Sequence, residues 1–261
     1  TCLADLFRPS VAFASIKLLE QAGCEVTVPL LQTCCGQPAY NSGDYEATVP
    51  LARQVITMLE AAEYVVVPSG SCAGMICHHY PKVLQGAWRD RALELAAKTF
   101  ELTVFLRDIA RIKPQGNSRP ALSAVTYHDG CAGLRELGIR EQPRQLLREL
   151  CGVEVREMQQ SEVCCGFGGT FCAKMPDISD KMVGDKLKQD LFGEGDAVGR
   201  TVMVDNIPFL VVGVLQKKAQ DSNYNGPDSN KAFIPDTTFK GLFGARYVSN
   251  FVFQARHPSL V

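Results

Sequence analysis

The sequence lacks an excess of charge of either sign, and it lacks a long apolar run. Its 27 basic residues are balanced by 28 acidic ones, which leaves a formal net charge of −1. Nucleic-acid binding requires clustered Lys and Arg, so this balance argues against a nucleic-acid partner. The longest apolar stretch, 207–215, falls short of the roughly 18 residues that a membrane helix needs. No membrane span is therefore expected.

Cysteine is missing from residues 173–261, and all 11 cysteines precede that stretch. The total is odd, and two pairs are adjacent in the sequence, a spacing that strains a disulfide. Small secreted disulfide scaffolds are also shorter and denser in cysteine. The cysteines are therefore expected to be metal or redox groups in a reducing compartment.

The cysteines belong to an internal repeat. In one copy 31 residues separate Cys2 from the pair Cys34-Cys35, and in the other 32 residues separate Cys131 from Cys164-Cys165. Each copy places an amphipathic stretch, a glycine helix stop and a short β-rich run between the first cysteine and the pair. The predicted helices cover 11–21 and 142–150, and the predicted strands cover 25–28 and 153–155.

Strands and helices alternate beyond these runs. A helix is predicted over 45–62, a valine-rich strand over 64–67 leads to Cys72, and 87–112 is predicted to be mostly helical. Another apolar strand, 122–127, leads to Cys131. This alternation predicts an α/β fold with a mainly parallel sheet, in which ligands gather at the carboxyl ends of the strands.

The character of the sequence changes near residue 190. The rest of the chain holds nine of the 21 aromatic residues and a turn-rich loop over 221–230. A β-rich segment that does not continue the repeat is therefore predicted, with strands over 202–205, 208–215, 232–235 and 247–254. The predicted division is a first cysteine-rich unit (1–113), a second, truncated unit (114–190) and a β-rich segment (191–261).

A Cys-Cys-Gly corner that recurs at matched spacing is typical of metal-cluster ligation, since cluster thiolates must converge from separate segments. A glycine lets the backbone turn tightly and approach the cluster, and freed N–H groups can donate to its sulfurs. The glycines expected in this role are Gly36, Gly166, Gly168 and Gly169. The alternative, buried structural thiols, explains Cys24, Cys77 and Cys151 but does not explain two such corners.

Five motifs carry a family resemblance: Thr1-Cys2-Leu3, Gln32–Pro38, Pro68–Cys72, Tyr127–Cys131 and Cys164–Gly169. Through them residues 1–190 resemble the cysteine-rich CCG domain family, and within it the iron–sulfur subunits of lactate utilization, glycolate oxidase and heterodisulfide reductase systems. The resemblance implies a [4Fe–4S]-type cluster and electron transfer in lactate oxidation, in a cytoplasmic complex with partner subunits. The implied ligands are Cys2, Cys34, Cys35 and Cys72 in the first unit and Cys131, Cys164 and Cys165 in the second.

The chain departs from the family pattern in three places. A strand is expected before Thr1, Met75 stands where a further cysteine often follows Cys72, and the second unit has no distal cysteine. Cys72 lies 37 positions after Cys35, whereas the residue 37 positions after Cys165 is Val202. The second cluster is therefore expected to lack one protein thiolate.

The C-terminal segment carries a separate resemblance. Residues 191–193, 199–202, 207–209 and 212–215 are similar to the periplasmic core domain of MacB/FtsX-type ABC transporter permeases. That resemblance implies an extracytoplasmic exporter module, in a compartment at odds with reduced thiols. We interpret the chain as a fused or mis-assembled reading frame or a chimera, joined near 188–191.

Weaker signals leave alternatives open. Cys77-His78-His79 is either a zinc-binding group or part of an ordinary helix. His128-Asp129 either moves protons or caps a turn. Four arginines with i, i+4 spacings mark a solvated helix face or a docking face: Arg135, Arg140, Arg144 and Arg148.

The preferred function is iron–sulfur electron transfer in the oxidation of L-lactate or a related 2-hydroxy acid. No acid–base pair or flavin motif is present, so no catalytic residue is assigned. Two alternatives remain: a thiol or zinc-binding module without redox function, and a fragment of an ABC exporter fused to a cysteine-rich protein.

Overall fold

The computed structural model describes residue 2 and most of the chain between residues 8 and 214. The described residues are 2, 8–114, 124–158, 161–168, 171–192, 197–204, 207–214, 234, 235 and 238. In this part of the chain helices dominate and small two-stranded sheets accompany them. The mixed helix-and-strand class is confirmed. None of the described helices combines the length and the apolarity needed to cross a membrane.

The first segment, residues 8–114, is built from short helices around one parallel strand pair. Its elements are α1 (Pro9–Gln21), α2 (Gln37–Asn41), α3 (Tyr45–Leu59), β1 (Val65–Val67), α4 (Gly70–Gly74), a π-helical turn (Met75–His79), α5 (Tyr80–Val83), α6 (Ala87–Ala97), β2 (Thr99–Glu101), α7 (Leu102–Val104) and a second π-helical turn (Phe105–Ile109).

Local sequence explains most of these elements. The Asp44 carboxylate accepts a hydrogen bond from the Ala47 backbone N–H at 2.9 Å and so caps the start of α3. The three valines of β1 form the predicted strand. The helix predicted over 87–112 is interrupted, because β2 pairs in parallel with β1 and places Val65 opposite Thr99. Pairing and burial against β1 outweigh the local helical pattern there.

One predicted strand in the first segment does not form. Residues 24–29 run without helix or strand, and no strand of the described chain pairs with them. An isolated strand leaves its backbone groups without ladder partners, so β-propensity alone does not establish it.

The second segment, residues 124–192, has the order strand, two helices, strand, followed by two further helices. Its elements are β3 (Ala124–Tyr127), α8 (Cys131–Leu137), α9 (Glu141–Cys151), β4 (Glu154–Glu157), α10 (Phe171–Lys174) and α11 (Pro176–Phe192). Strands β3 and β4 are parallel, with Val125 opposite Val155. Helix α9 ends at Gly152 in the left-handed conformation (φ 65°), as the sequence predicts.

Two hydrophobic clusters hold the segments together. The larger surrounds β1 and contains Ile56 of α3, Val67 and Tyr80, with Cys35 at its margin. The smaller joins Leu19 of α1 to Phe105 and Leu106, and Leu146 of α9 packs against it from the second segment. Helix α4, which follows β1, also packs on α8, which follows β3.

The C-terminal segment is described in part. Strands β5 (Thr201–Val204) and β6 (Ile207–Leu210) form an antiparallel pair where two of the four strands were predicted. Of the other two, 247–254 lies outside the described residues, and only residues 234 and 235 of 232–235 are described, without strand. Helix α11 runs without a break through the predicted join at 188–191.

Candidate metal centre

The first thiol set consists of Cys34, Cys35 and Cys72, which come from two separate segments. Cys34 and Cys35 precede α2, and Cys72 lies on α4, directly after β1. The Cys35 thiol donates a hydrogen bond to the Cys72 sulfur, and the charge of Cys34 also acts on Cys35. The fold therefore brings together three of the four cysteines predicted for the first cluster. Cys2, the fourth, is partly buried.

Tyr80 is a buried residue that contacts the first thiol set. It is fully buried, and its hydroxyl donates to the Cys35 carbonyl at 2.8 Å. Burial raises its pKa, and the charges of Cys35, Cys72 and Cys34 raise it further. All three cysteine side chains thus contribute to the raised pKa of the Tyr80 phenol. No sequence motif indicated this role, because Tyr80 lies outside every cysteine motif.

The pKa values of Cys35 and Cys72 are shifted in opposite directions. The hydrogen bond from Cys35 lowers the pKa of Cys72 to about 6, with help from Ser69 and Ser71 and against the effect of burial. The pKa of Cys35 is raised by that same hydrogen bond and by burial. Cys72 is therefore the thiolate of the pair, and a thiolate is the form of cysteine that binds metal.

The second thiol set consists of Cys131, Cys164 and Cys165. Cys131 is the first residue of α8, and a side-chain hydrogen bond joins it to Cys164. Burial raises the pKa of Cys131, the neighbouring Cys164 and Cys165 raise it further, and the nearby Arg135 opposes them. The Gly166 backbone N–H donates to the Cys164 sulfur at 3.3 Å. The arrangement repeats that of the first set.

The glycine of each Cys-Cys-Gly corner adopts a left-handed backbone, as the sequence predicts for a tight turn. Gly36 has φ 83° and begins α2, and Gly166 has φ 81°. A Cβ on Gly166 would lie 2.7 Å from the Met182 Cβ and 2.8 Å from the Ser179 carbonyl oxygen. Gly168 has φ 156°, and Gly169 lies outside the described residues.

The donor chemistry of both sets fits an iron–sulfur cluster better than a single ion. Each set offers cysteine sulfur alone, the donor that such clusters use. Among the described residues, no three His, Cys, Asp or Glu side chains surround one point closely enough to hold a single metal ion. A multinuclear cluster would draw its cysteine ligands from separate segments of the chain, and each set offers thiols from two such segments.

Cys77, His78 and His79 do not converge on a zinc site in the structure. The Cys77 thiol donates to the Thr99 carbonyl at 3.6 Å, and burial raises its pKa to about 11, as expected for a structural thiol. His79 instead bonds through Nε2 to the Glu136 carboxylate at 3.0 Å, and its ring lies 4.6 Å from that of Tyr40.

Two other cysteines test the expectation of structural thiols. Cys24 packs against the smaller hydrophobic cluster, which fits that expectation. Cys151 is exposed, so its predicted burial is wrong. It is the last residue of α9, where the helix runs out into solvent before Gly152.

The prediction that the arginines form a solvated face or a docking face is wrong for Arg144. Its side chain is 2% exposed and bonds in bidentate fashion to Asp129 and to Glu157. Asp129 pairs with Arg144, and the Nδ1 of the neighbouring His128 lies 3.2 Å from the Ser161 carbonyl oxygen. Helical periodicity could not reveal this, because both acidic partners lie on other elements.

Comparison with known proteins identifies two families along the chain. The model of the CCG cysteine-rich domain matches residues 1–77 and 125–198. The model of the MacB-like periplasmic core domain matches residues 179–261. The two matches overlap within α11 and its flank, next to the predicted join.

Curated relatives match over most of the chain. A lactate utilization protein A from Exiguobacterium sp. is 48% identical over 191 residues, 72% of this chain and 77% of the relative. The protein of the same name from Halalkalibacterium halodurans is 46% identical over 190 residues, with the same coverage. That from Bacillus thuringiensis is 45% identical over 189 residues, 72% of this chain and 78% of the relative.

Proposed function

The chain belongs to the CCG cysteine-rich domain family, and from that premise we propose that it is the iron–sulfur electron-transfer subunit of an L-lactate or related 2-hydroxy acid oxidation complex. The substrate class follows the name of its relatives, lactate utilization protein A. The observation that carries the proposal is the convergence, in two places, of a Cys-Cys pair with a cysteine that follows a parallel strand.

The proposed ligands of the first cluster are Cys2 and the first thiol set. The bound cluster would accept and release single electrons without reorganising the protein. Cys72 supplies a ready thiolate, and Tyr80 holds the Cys35 backbone by its 2.8 Å hydrogen bond. Cys35 is 8% exposed, so its sulfur is largely shielded from water. Gly36 turns the chain into α2 without strain.

The proposed second cluster is bound by the second thiol set. Its corner is held by α11, since the buried Ser179 hydroxyl donates to the Gly166 carbonyl at 2.9 Å. Lys186, also on α11, donates to the carbonyls of Ser161 and Val163. The second unit therefore uses α11 at least as far as residue 186.

The proposed site of action is the cytoplasm, because thiols stay reduced there. The remaining subunits of a lactate oxidation complex are the proposed partners, because an electron carrier without substrate chemistry needs a donor and an acceptor. We further propose that residues 191–261 take no part in cluster binding. In the described chain both thiol sets and their contacts end before that segment.

Anaerobic purification followed by iron and acid-labile sulfide analysis tests this function. Near-equal iron and sulfide, with broad visible absorbance, is the expected result. A colourless protein that contains zinc and no sulfide, even after anaerobic reconstitution, would replace electron transfer with the thiol or zinc-binding alternative.

A further inference from the structure

Arg144 forms a buried clamp between the two strand ends of the second segment. Its guanidinium bonds to Asp129 at 2.8 and 2.7 Å and to Glu157 at 2.7 and 2.8 Å. It also donates to the Arg140 carbonyl at 2.6 Å and lies 5.1 Å from the centre of the Tyr127 ring. Four hydrogen bonds from α9 therefore join the residues at the ends of β3 and β4.

The clamp lies close in sequence to the second thiol set. Asp129 comes two residues after β3 and two residues before Cys131. Glu157 is the last residue of β4, on the path to Cys164. Fixing the Asp129 carboxylate therefore fixes the short loop that delivers the Cys131 sulfur.

The chemistry of the clamp favours orientation over simple packing. An apolar side chain could fill the position of Arg144 without the cost of removing a charge from water. A guanidinium instead offers donors in a planar fork, which fixes the place of two carboxylates at once. The Asp129 side chain has no exposed surface, so no water replaces the bonds that Arg144 provides.

The other half of the thiol set has a separate support. The loop before Cys164 is held by Lys186, which donates to the Ser161 carbonyl at 3.1 Å and to the Val163 carbonyl at 2.5 Å. Lys186 thus acts on the loop before Cys164 and the clamp on the loop before Cys131, while the Ser161 side chain, which bonds to Asp129, links the two supports.

We propose that Arg144 is a positioning residue that holds the Cys131 sulfur within reach of Cys164 and Cys165. This inference rests on the proposed function only for the identity of the bound group, since the thiol set exists in the protein without it. In cluster-free protein the clamp keeps Cys131 shielded and paired with Cys164.

The proposal is tested by treating the cluster-free, reduced chain with iodoacetamide. Mass spectrometry then measures the alkylation rate of each cysteine. In Arg144→Lys the charge stays but the fork is lost, so Cys131 should react about tenfold faster, the equivalent of one charged hydrogen bond. Cys24 and Cys72 serve as internal references and should react as in the wild type. The control is Arg156→Lys, whose partner Glu154 lies on the exposed face of β4.

Two further variants separate positioning from general stability. Lys186→Met should speed the reaction of Cys164 more than that of Cys131. Glu157→Gln should have a smaller effect than Arg144→Lys, because Glu157 is half exposed and water can replace its bonds. A graded order of Cys131 reactivity, Arg144→Lys above Glu157→Gln above wild type, supports the proposal.

Either of two results would overturn the role of Arg144. One is an unchanged rate for Cys131, and the other is an equal rise for every cysteine, which would make Arg144 a general stabilising residue. Iron and sulfide analysis of the same preparations keeps the two proposals apart. Wild-type protein that binds no cluster would refute the proposed function while the alkylation result still decides the clamp.

Discussion

Gly70 faces Gly133 across the contact between α4 and α8, and a Cβ on Gly70 would lie 2.9 Å from both the Cα and the backbone N of Gly133. The relation is not symmetric, because a Cβ on Gly133 would meet only the Ile139 Cβ, at 4.0 Å. The contact joins the helix that carries Cys72 to the helix that begins at Cys131. It therefore leaves no room for a side chain on Gly70 between the supports of the two thiol sets.

This asymmetry predicts opposite effects for two matched substitutions. Gly70→Ala should lower the free energy of unfolding by about 1–3 kcal/mol, since backbone atoms must move apart. Gly133→Ala should be neutral or stabilise by up to about 1 kcal/mol, because alanine favours the helix and has room. Urea unfolding of both variants measures the difference, and equal losses would contradict the close contact.

The two glycines of the Cys-Cys-Gly corners should differ in the cost of a side chain. Gly36→Ala meets left-handed strain of about 1–2 kcal/mol, with its nearest neighbour, the Leu51 Cβ, at an ordinary 3.5 Å. Gly166→Ala meets the same strain and also clashes with Ser179 and Met182. Thermal unfolding should therefore rank Gly166→Ala as the less stable variant, and the reverse order would count against the described corner.

The cysteines should separate into ligands and bystanders. Cys34→Ser or Cys35→Ser is expected to lose the first cluster, because each removes one sulfur of the first thiol set. Cys24→Ser should retain the iron, since Cys24 packs against an apolar cluster. Cys151→Ser is a second control at an exposed position. Iron content per chain is the measurement, and comparable losses in all four variants would refute this division.

The second cluster should be the less stable of the two. No cysteine follows Cys172, so Cys131, Cys164 and Cys165 leave one iron without a protein thiolate. Metal affinity falls when a ligand is missing, and about one stable cluster per chain is therefore expected. Iron analysis with spin-integrated EPR of wild type and Cys165→Ser tests this. Two equally chelator-resistant clusters in wild type, reduced to one in the variant, would show the second site to be complete.

The C-terminal segment should be dispensable for the first cluster. A chain that ends at Phe192 keeps α11 and its contacts, so its iron content and cluster spectrum should match those of the full chain. A chain that ends at Met175 also loses Ser179 and Lys186, and the reactivity of Cys164 should then rise. Loss of the first cluster from the chain that ends at Phe192 would show that residues 193–261 belong to the fold of that site.

The local sequence pattern correctly predicted several helices and strands. The amphipathic stretches became α1 and α9, and the runs before Cys72 and Cys131 became β1 and β3. Strand 25–28 failed because no described strand pairs with it, and β2 was missed because its pairing with β1 joins residues far apart in the sequence. Hydrophobic periodicity predicts which face of an element is apolar, but it does not predict which residues pack against that face.

By itself the sequence determined the chemistry of this protein: two Cys-Cys-Gly corners, the glycines that turn them, and a third cysteine after a strand. Those features are short-range, and their backbone requirements can be read from neighbouring residues. Only the tertiary structure decided that the Tyr80 hydroxyl bonds to the Cys35 carbonyl and that Arg144 is buried against Asp129 and Glu157. These relations join side chains from different elements, so the packing of strands and helices created them.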